Sequence, residues 1–135
     1  MLDDAPRVRT IVQRLGSVRE GSSIVARAGN AVTRVRLGPG PSRLEDGTTV
    51  HLDASRGDDA LAARLGHLLL HVVEPLPPMP RATSECKRWV ERVIELETRA
   101  HAAEDRLVVA LGTTLSPRED LDALGAAYFT RCTSP

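Results

Sequence analysis

The chain has 135 residues, eighteen basic side chains balanced by eighteen acidic ones, and 41% hydrophobic against 27% charged residues, the proportions of one soluble domain with one core. The cancelled charge leaves no field to gather nucleic acid or an anionic membrane, and an aromatic content of 2% leaves almost no platform for stacking bases or sugars. No apolar run approaches the roughly 20 residues that span a bilayer, and the N-terminus lacks the basic and apolar regions of a secretory signal, so a cytoplasmic location is expected.

Asp4-Ala5-Pro6 predicts the start of a first helix, with Asp4 as N-cap and proline in the first turn. Val8, Ile11, Val12 and Leu15 recur at helical spacing, and Gly16 or Gly21 ends the run. Gly29-Asn30 between Ile24–Ala28 and Ala31–Leu37 is a hairpin signal. Folded there, the chain puts Ile24, Ala26, Ala28, Ala31, Thr33, Val35 and Leu37 on one face, and Arg27, Arg34 and Arg36 on the other. A helix over residues 22–28 is the competing expectation. Gly38 to Ser42 and Glu45-Asp46-Gly47 bracket a loop. Thr48–Leu52 is then a further strand, with Thr48, Val50 and Leu52 facing one way and His51, read as an exposed strand histidine, facing the Arg side.

Asp58 to Glu74 reads as a helix buried at the centre of the domain, because apolar residues occupy nearly all its faces (Leu61, Leu65, Leu68, Leu69, Leu70, Val72, Val73). Its polar exceptions Arg64, His67, His71 and Glu74 recur every three or four residues and form one stripe. Pro75 stops it, and residues 75–83 are a proline-rich linker within the single domain 1–135. A long helix follows from about Ser84 to Leu111. Trp89, Val93, Leu96, Ala100, Leu107 and Leu111 form its core stripe, flanked by a semi-buried stripe of Ile94, Glu97, His101, Glu104 and Val108. Ser116-Pro117-Arg118-Glu119 has the form of a capping box, predicting a last helix over 117–130 that buries Leu121, Leu124 and Tyr128 or Phe129. The expected fold class is α+β: an N-terminal helix, a small antiparallel three-stranded sheet, the buried central helix, the long helix and the C-terminal helix. Cys86 and Cys132 form no CxxC pattern and are expected as two reduced thiols.

At Leu61-Ala-Ala-Arg-Leu-Gly-His-Leu-Leu-Leu-His71 the chain resembles the active-site helix of small bacterial zincin metallopeptidases, including the ImmA/IrrE-like group. Their helix commonly reads Leu-Ala-His-Glu-Leu-Gly-His, often continuing Leu-Leu-His. Gly47 to Asp53 is similar to the strand that precedes that helix, and Glu95-Leu-Glu97-Thr-Arg-Ala100 is similar to the later helix carrying the third zinc ligand. The resemblance, over about residues 24–108, implies a zincin-like core. Aligned on Leu65-Gly66-His67, however, the family's first zinc ligand falls on Ala63 and its catalytic glutamate on Arg64. Zincin hydrolysis needs both, two histidines one turn apart for the metal and a carboxylate to take the proton from bound water. Alanine has no ligand atom, and arginine stays protonated.

The resemblance thus implies a non-catalytic pseudo-metallopeptidase, an interaction or regulatory protein that binds a protein partner and needs no cofactor; homo-oligomerisation is a further possibility. The alternative is a metal-dependent hydrolase with a rearranged zinc site, in which His67 and His71, themselves an i, i+4 pair, are joined by Glu97, His101 or Glu104. The metal candidates are His67, His71 and Glu97. A plainer role is preferred for them, in which the histidines hydrogen-bond carboxylates across a helix interface and Arg64 pairs with Glu97 or Glu104 where the metal would have been. No catalytic residue is assigned. Ser22, Ser23, Ser42 and Ser84 lack triad partners, Gly38-Pro-Gly-Pro lacks the Lys-Ser/Thr end of a phosphate loop, and Glu91, Glu95 and Glu97 read as a solvated flank paired with Arg88, Arg92 and Arg99.

Overall fold

Pro6 opens the first helix, α1 (Pro6–Gly16), where its missing amide costs nothing and its fixed φ suits the first turn. The computed structural model describes residues 5–135, so the cap expected at Asp4 lies outside the described residues. Val8, Ile11 and Leu15 form the buried face of α1.

The hairpin is not formed: Arg19–Ala28 is a helix, α2, as the competing expectation had it. Gly21, Ile24 and Ala28 are its buried positions, and their spacing is helical. Gly29, at φ 52°, ends the helix in a backbone region open to glycine, so the Gly-Asn pair acts as a helix stop and not as a strand turn. Gly21 also lets α2 cross α1 closely, since a Cβ there would lie 1.9 Å from the Leu15 carbonyl oxygen.

The sheet has three strands, but it is mixed and not wholly antiparallel. β1 (Arg34–Gly38) pairs in parallel with β3 (Thr49–Asp53), and β2 (Arg43–Glu45), which arises inside the expected loop, pairs antiparallel on the other side of β3. The strand order β1-β3-β2 makes β3 the central strand. Asp46 (φ 47°) and Gly47 (φ 83°) provide the two successive left-handed residues of the tight β2–β3 turn, and Asp46 Oδ1 accepts from the Thr48 amide at 3.1 Å. Val50 and Leu52 face the core as expected. His51 does lie beside the arginine face, opposite Arg36 and Arg43, yet it is 3% exposed. β3 is buried at Val50, His51 and Leu52 and so is covered on both faces; the loop after β1 contributes to the cover, with His51 Nε2 at 3.0 Å from the Pro39 carbonyl.

α3 (Asp58–Val73) is the organiser of the fold, packed by α1, α2, β3 and α4. Leu61, Leu65 and Leu69 are almost wholly removed from water, a burial that contributes about 1.5–3 kcal/mol per side chain. Arg7 and Arg14 of α1 pair with Asp58 and Asp59 at its N-terminus, each at 2.7 Å. After the proline-rich linker, which Trp89 Nε1 tethers through the Pro77 carbonyl at 2.8 Å, a single 3-10 turn (Thr83–Glu85) leads into α4 (Cys86–Leu111). Gly66 lets α3 and α4 approach: a Cβ there would stand 2.4 Å from Leu107 Cδ1.

α5 (Leu121–Thr133) starts later than the capping box predicts. Asp120 is the cap, its Oδ1 accepting from the Ala123 amide at 3.0 Å. A helix begun at Pro117 would spend the Ser116 and Pro117 carbonyls on its own amides. Arg64 Nη2 donates to both instead, at 3.1 Å each, and residues 113–120 form no helix or strand. Leu121, Leu124 and Tyr128 are only half-buried and Phe129 is exposed, so the burial expected of this helix is replaced by another anchor. That anchor is a disulfide between Cys86 and Cys132, which overturns the expectation of two reduced thiols. Positions 46 residues apart give no sign in sequence of being neighbours; the antiparallel packing of α5 on α4 brings them together. No helix is long and apolar enough to cross a membrane among the described residues.

Candidate metal centre

Two i, i+4 pairs face one another across the α3–α4 interface: His67 and His71 on α3, Glu97 and His101 on α4. Helical periodicity sets each pair on one face, and the close approach at Gly66 sets the faces together.

His67 is held from behind. Its Nδ1–H donates to Glu104 Oε1 at 2.8 Å, and Glu104, with no exposed surface on its side chain, accepts from Arg64 Nε through the other oxygen at 2.9 Å. Burial works against the Glu104 carboxylate, but the hydrogen bond from His67 and the guanidinium of Arg64 outweigh it and hold its pKa below the ordinary value. An ionised carboxylate can only accept, so His67 Nδ1 carries a proton. His67 Nε2 faces Glu97, 3.8 Å from Oε2.

His71 Nε2 is buried and abuts Glu97 Oε1. Glu97 is 13% exposed, and its carboxylate is pulled both ways: burial raises its pKa, while His71, then His67 and His101, lower it, with a net lowering. His101 Nε2 lies 3.7 Å from Glu97 Oε2; burial, followed by the charge of Arg118, lowers its pKa and keeps the ring neutral. Glu97 is therefore no member of a solvated flank. Glu95 has that role, paired with Arg92 at 3.2 Å and Arg99 at 2.9 Å.

The three candidates named from the sequence thus converge. One ligand atom from each of His67, His71 and Glu97 lies within 4.8 Å of the other two. Zinc binds imidazole and carboxylate at about 2.0–2.2 Å, so a shared ion would draw such atoms to roughly 3.4 Å apart, a small side-chain rotation from where they stand. The donor chemistry suits a borderline divalent cation: two imidazoles, one carboxylate, and a carboxylate behind the first histidine that accepts from its Nδ1, the outer-shell arrangement that metal-binding histidines adopt.

Ala63 and Arg64 stand where the resemblance would put a zinc ligand and a base, respectively. Ala63 is buried with no exposed surface, and Arg64 reaches Glu104, one of its two expected partners. The candidate centre lies one helical turn further along α3. It opens onto a cleft of about 510 Å³ lined by His67, His71 and Glu97 with Leu68, Val72 and Leu76, and by Glu119, Leu124 and Tyr128 from the α5 side. What sequence reading did not place is the α5 wall and the β2 edge, where Leu44 and Gly47 complete the cleft; the β2 edge arises from a segment read as loop, and the α5 wall from a helix read as starting at Pro117. Compared with family models, curated proteins and solved structures, the chain finds no match.

Proposed function

We propose that the chain is a metal-binding protein on a degenerate zincin-like scaffold, taking a zinc-type divalent ion through His67, His71 and Glu97, and that it is not a peptidase of the zincin kind. The observation that carries the metal is the convergence of the three ligand atoms, with His71 Nε2 buried against the Glu97 carboxylate. When bound, such an ion supplies Lewis acidity and a cross-link between two helices. The chain's own residues do the rest: Glu104 accepts from His67 Nδ1, Arg64 keeps Glu104 charged, and Glu97 neutralises part of the ion's charge.

The non-peptidase half rests on α3 itself. In the family's frame the base is Arg64, committed to Glu104; in the displaced frame His67-Leu68-Leu69-Leu70-His71 the equivalent position is Leu68. Neither side chain accepts a proton.

A second reading, a metal-dependent hydrolase with a rearranged site, draws on Glu119 and Tyr128, which line the same cleft. It predicts hydrolysis by the zinc-loaded chain that Glu119→Gln abolishes.

Metal analysis with titration of the purified chain decides the main proposal. The expected result is one zinc per chain, lost in His71→Ala and in Glu97→Ala while the helical content is kept, with no hydrolysis of unstructured peptides. Absence of stoichiometric zinc, or zinc that survives both substitutions, would overturn it.

A further inference from the structure

Resting on that metal-binding reading, we infer that His101 is a fourth ligand, so that the loaded centre is a closed site of three imidazoles and one carboxylate joining α3 to α4. The geometry is that of two matched pairs. His67 stands midway, its ring centroid 5.1 Å from that of His71 and 5.2 Å from that of His101. Glu97 Oε2 stands between the other two nitrogens, 3.8 Å from His67 Nε2 and 3.7 Å from His101 Nε2. The His101 nitrogen is thus as near to the shared carboxylate oxygen as that of an assigned ligand.

His101 is 9% exposed, and among the described residues no hydrogen bond engages its ring nitrogens; Arg118 bonds to its backbone carbonyl instead. Coordination would give that imidazole a partner beyond the Glu97 carboxylate. His101 stands outside the group of ligand atoms that lie mutually within 4.8 Å, so its ring must turn to reach a shared ion.

The consequence is functional. Four protein ligands are the mark of structural zinc sites, whereas catalytic sites keep three and leave a position for water. With His101 in place the centre stabilises the α3–α4 pair and presents the cleft as a binding surface. With His101 excluded, the three-ligand site retains a water and the hydrolase reading gains ground.

The test uses cobalt(II) as a spectroscopic stand-in for zinc in the full-length chain. The unmodified chain is expected to bind one cobalt with intense tetrahedral visible bands. His101→Ala is expected to weaken those bands and to lose at least about tenfold in affinity, the scale on which even outer-shell partners of a metal act. His101→Cys guards against misfolding. It keeps a ligand at the position, and its cobalt form is expected to gain a thiolate-to-cobalt charge-transfer band that only direct coordination produces. Cobalt bound by His101→Ala with unchanged spectrum and affinity, or by His101→Cys without that band, would overturn the role of His101 and leave the three-ligand centre standing. No cobalt or zinc bound by the unmodified chain would overturn both.

Discussion

Arg64 Nε donates to one oxygen of Glu104 at 2.9 Å while His67 Nδ1 donates to the other at 2.8 Å, so a single buried carboxylate joins the residue that breaks the zincin pattern to the first residue of the candidate centre. Truncating Glu104 strands an arginine that is 12% exposed and frees the His67 ring. Glu104→Ala is expected to destabilise the fold by about 3–5 kcal/mol, the cost of removing one partner of a buried pair. The double variant Arg64→Met/Glu104→Leu removes both charges and is expected to recover most of that loss. Urea unfolding of Arg64→Met, Glu104→Leu and the double variant measures the coupling; a double variant no more stable than Glu104→Leu contradicts the account.

Acid is expected to unfold the metal-free chain in two stages. His101 has its pKa lowered in the fold, so it contributes full stability above its unfolded value of 6.5, and that contribution declines as pH falls below it. Glu97 and Glu104 are lowered from 4.5, so their contribution is present above that value and is lost as pH falls through their folded values. Stability should be level above pH 7, fall gently below about 6.5 and steeply below about 4.5. Urea midpoints across this range in the presence of a chelator test it, and His101→Ala should remove the first stage.

Reduction of the disulfide should loosen α5 more than the rest. Cys132 is the one buried residue of α5, and the bond closes 46 residues, a loop for which chain entropy gives on the order of 4 kcal/mol. Hydrogen exchange in 121–133 is expected to rise on adding reductant while α3 stays protected. Uniform exchange across both helices would show that α5 does not hang on the bond.

Gly66→Ala is expected to cost about 1–3 kcal/mol by overpacking against Leu107 and, by forcing α4 away, to weaken metal binding as well. Calorimetry with and without zinc reads both effects. An unchanged melting temperature with reduced affinity would mean that α4 shifts without strain.

The helices were legible wherever hydrophobic period and punctuation agreed. α3 shows its burial through apolar residues on nearly every face, α4 shows two stripes, and Pro75 and Gly112 stop them as their backbone chemistry requires. Residues 19–28 misled because Ile24, Ala26 and Ala28 fit a period of two as well as Gly21, Ile24 and Ala28 fit a helical one, and only packing on Leu15 chooses between them.

By itself, then, the sequence determined the α+β class, the central place of α3, and the polar stripe with His67 and His71 on one face, because these follow from local periodicity. Tertiary structure decided what no local rule reaches: that Glu97 meets the two histidines, that Arg64 takes Glu104 and the carbonyls a helix begun at Pro117 would have used, that His51 is covered, and that Cys86 meets Cys132. Each of these depends on how two distant segments pack, and a contact between distant segments has no period in the chain.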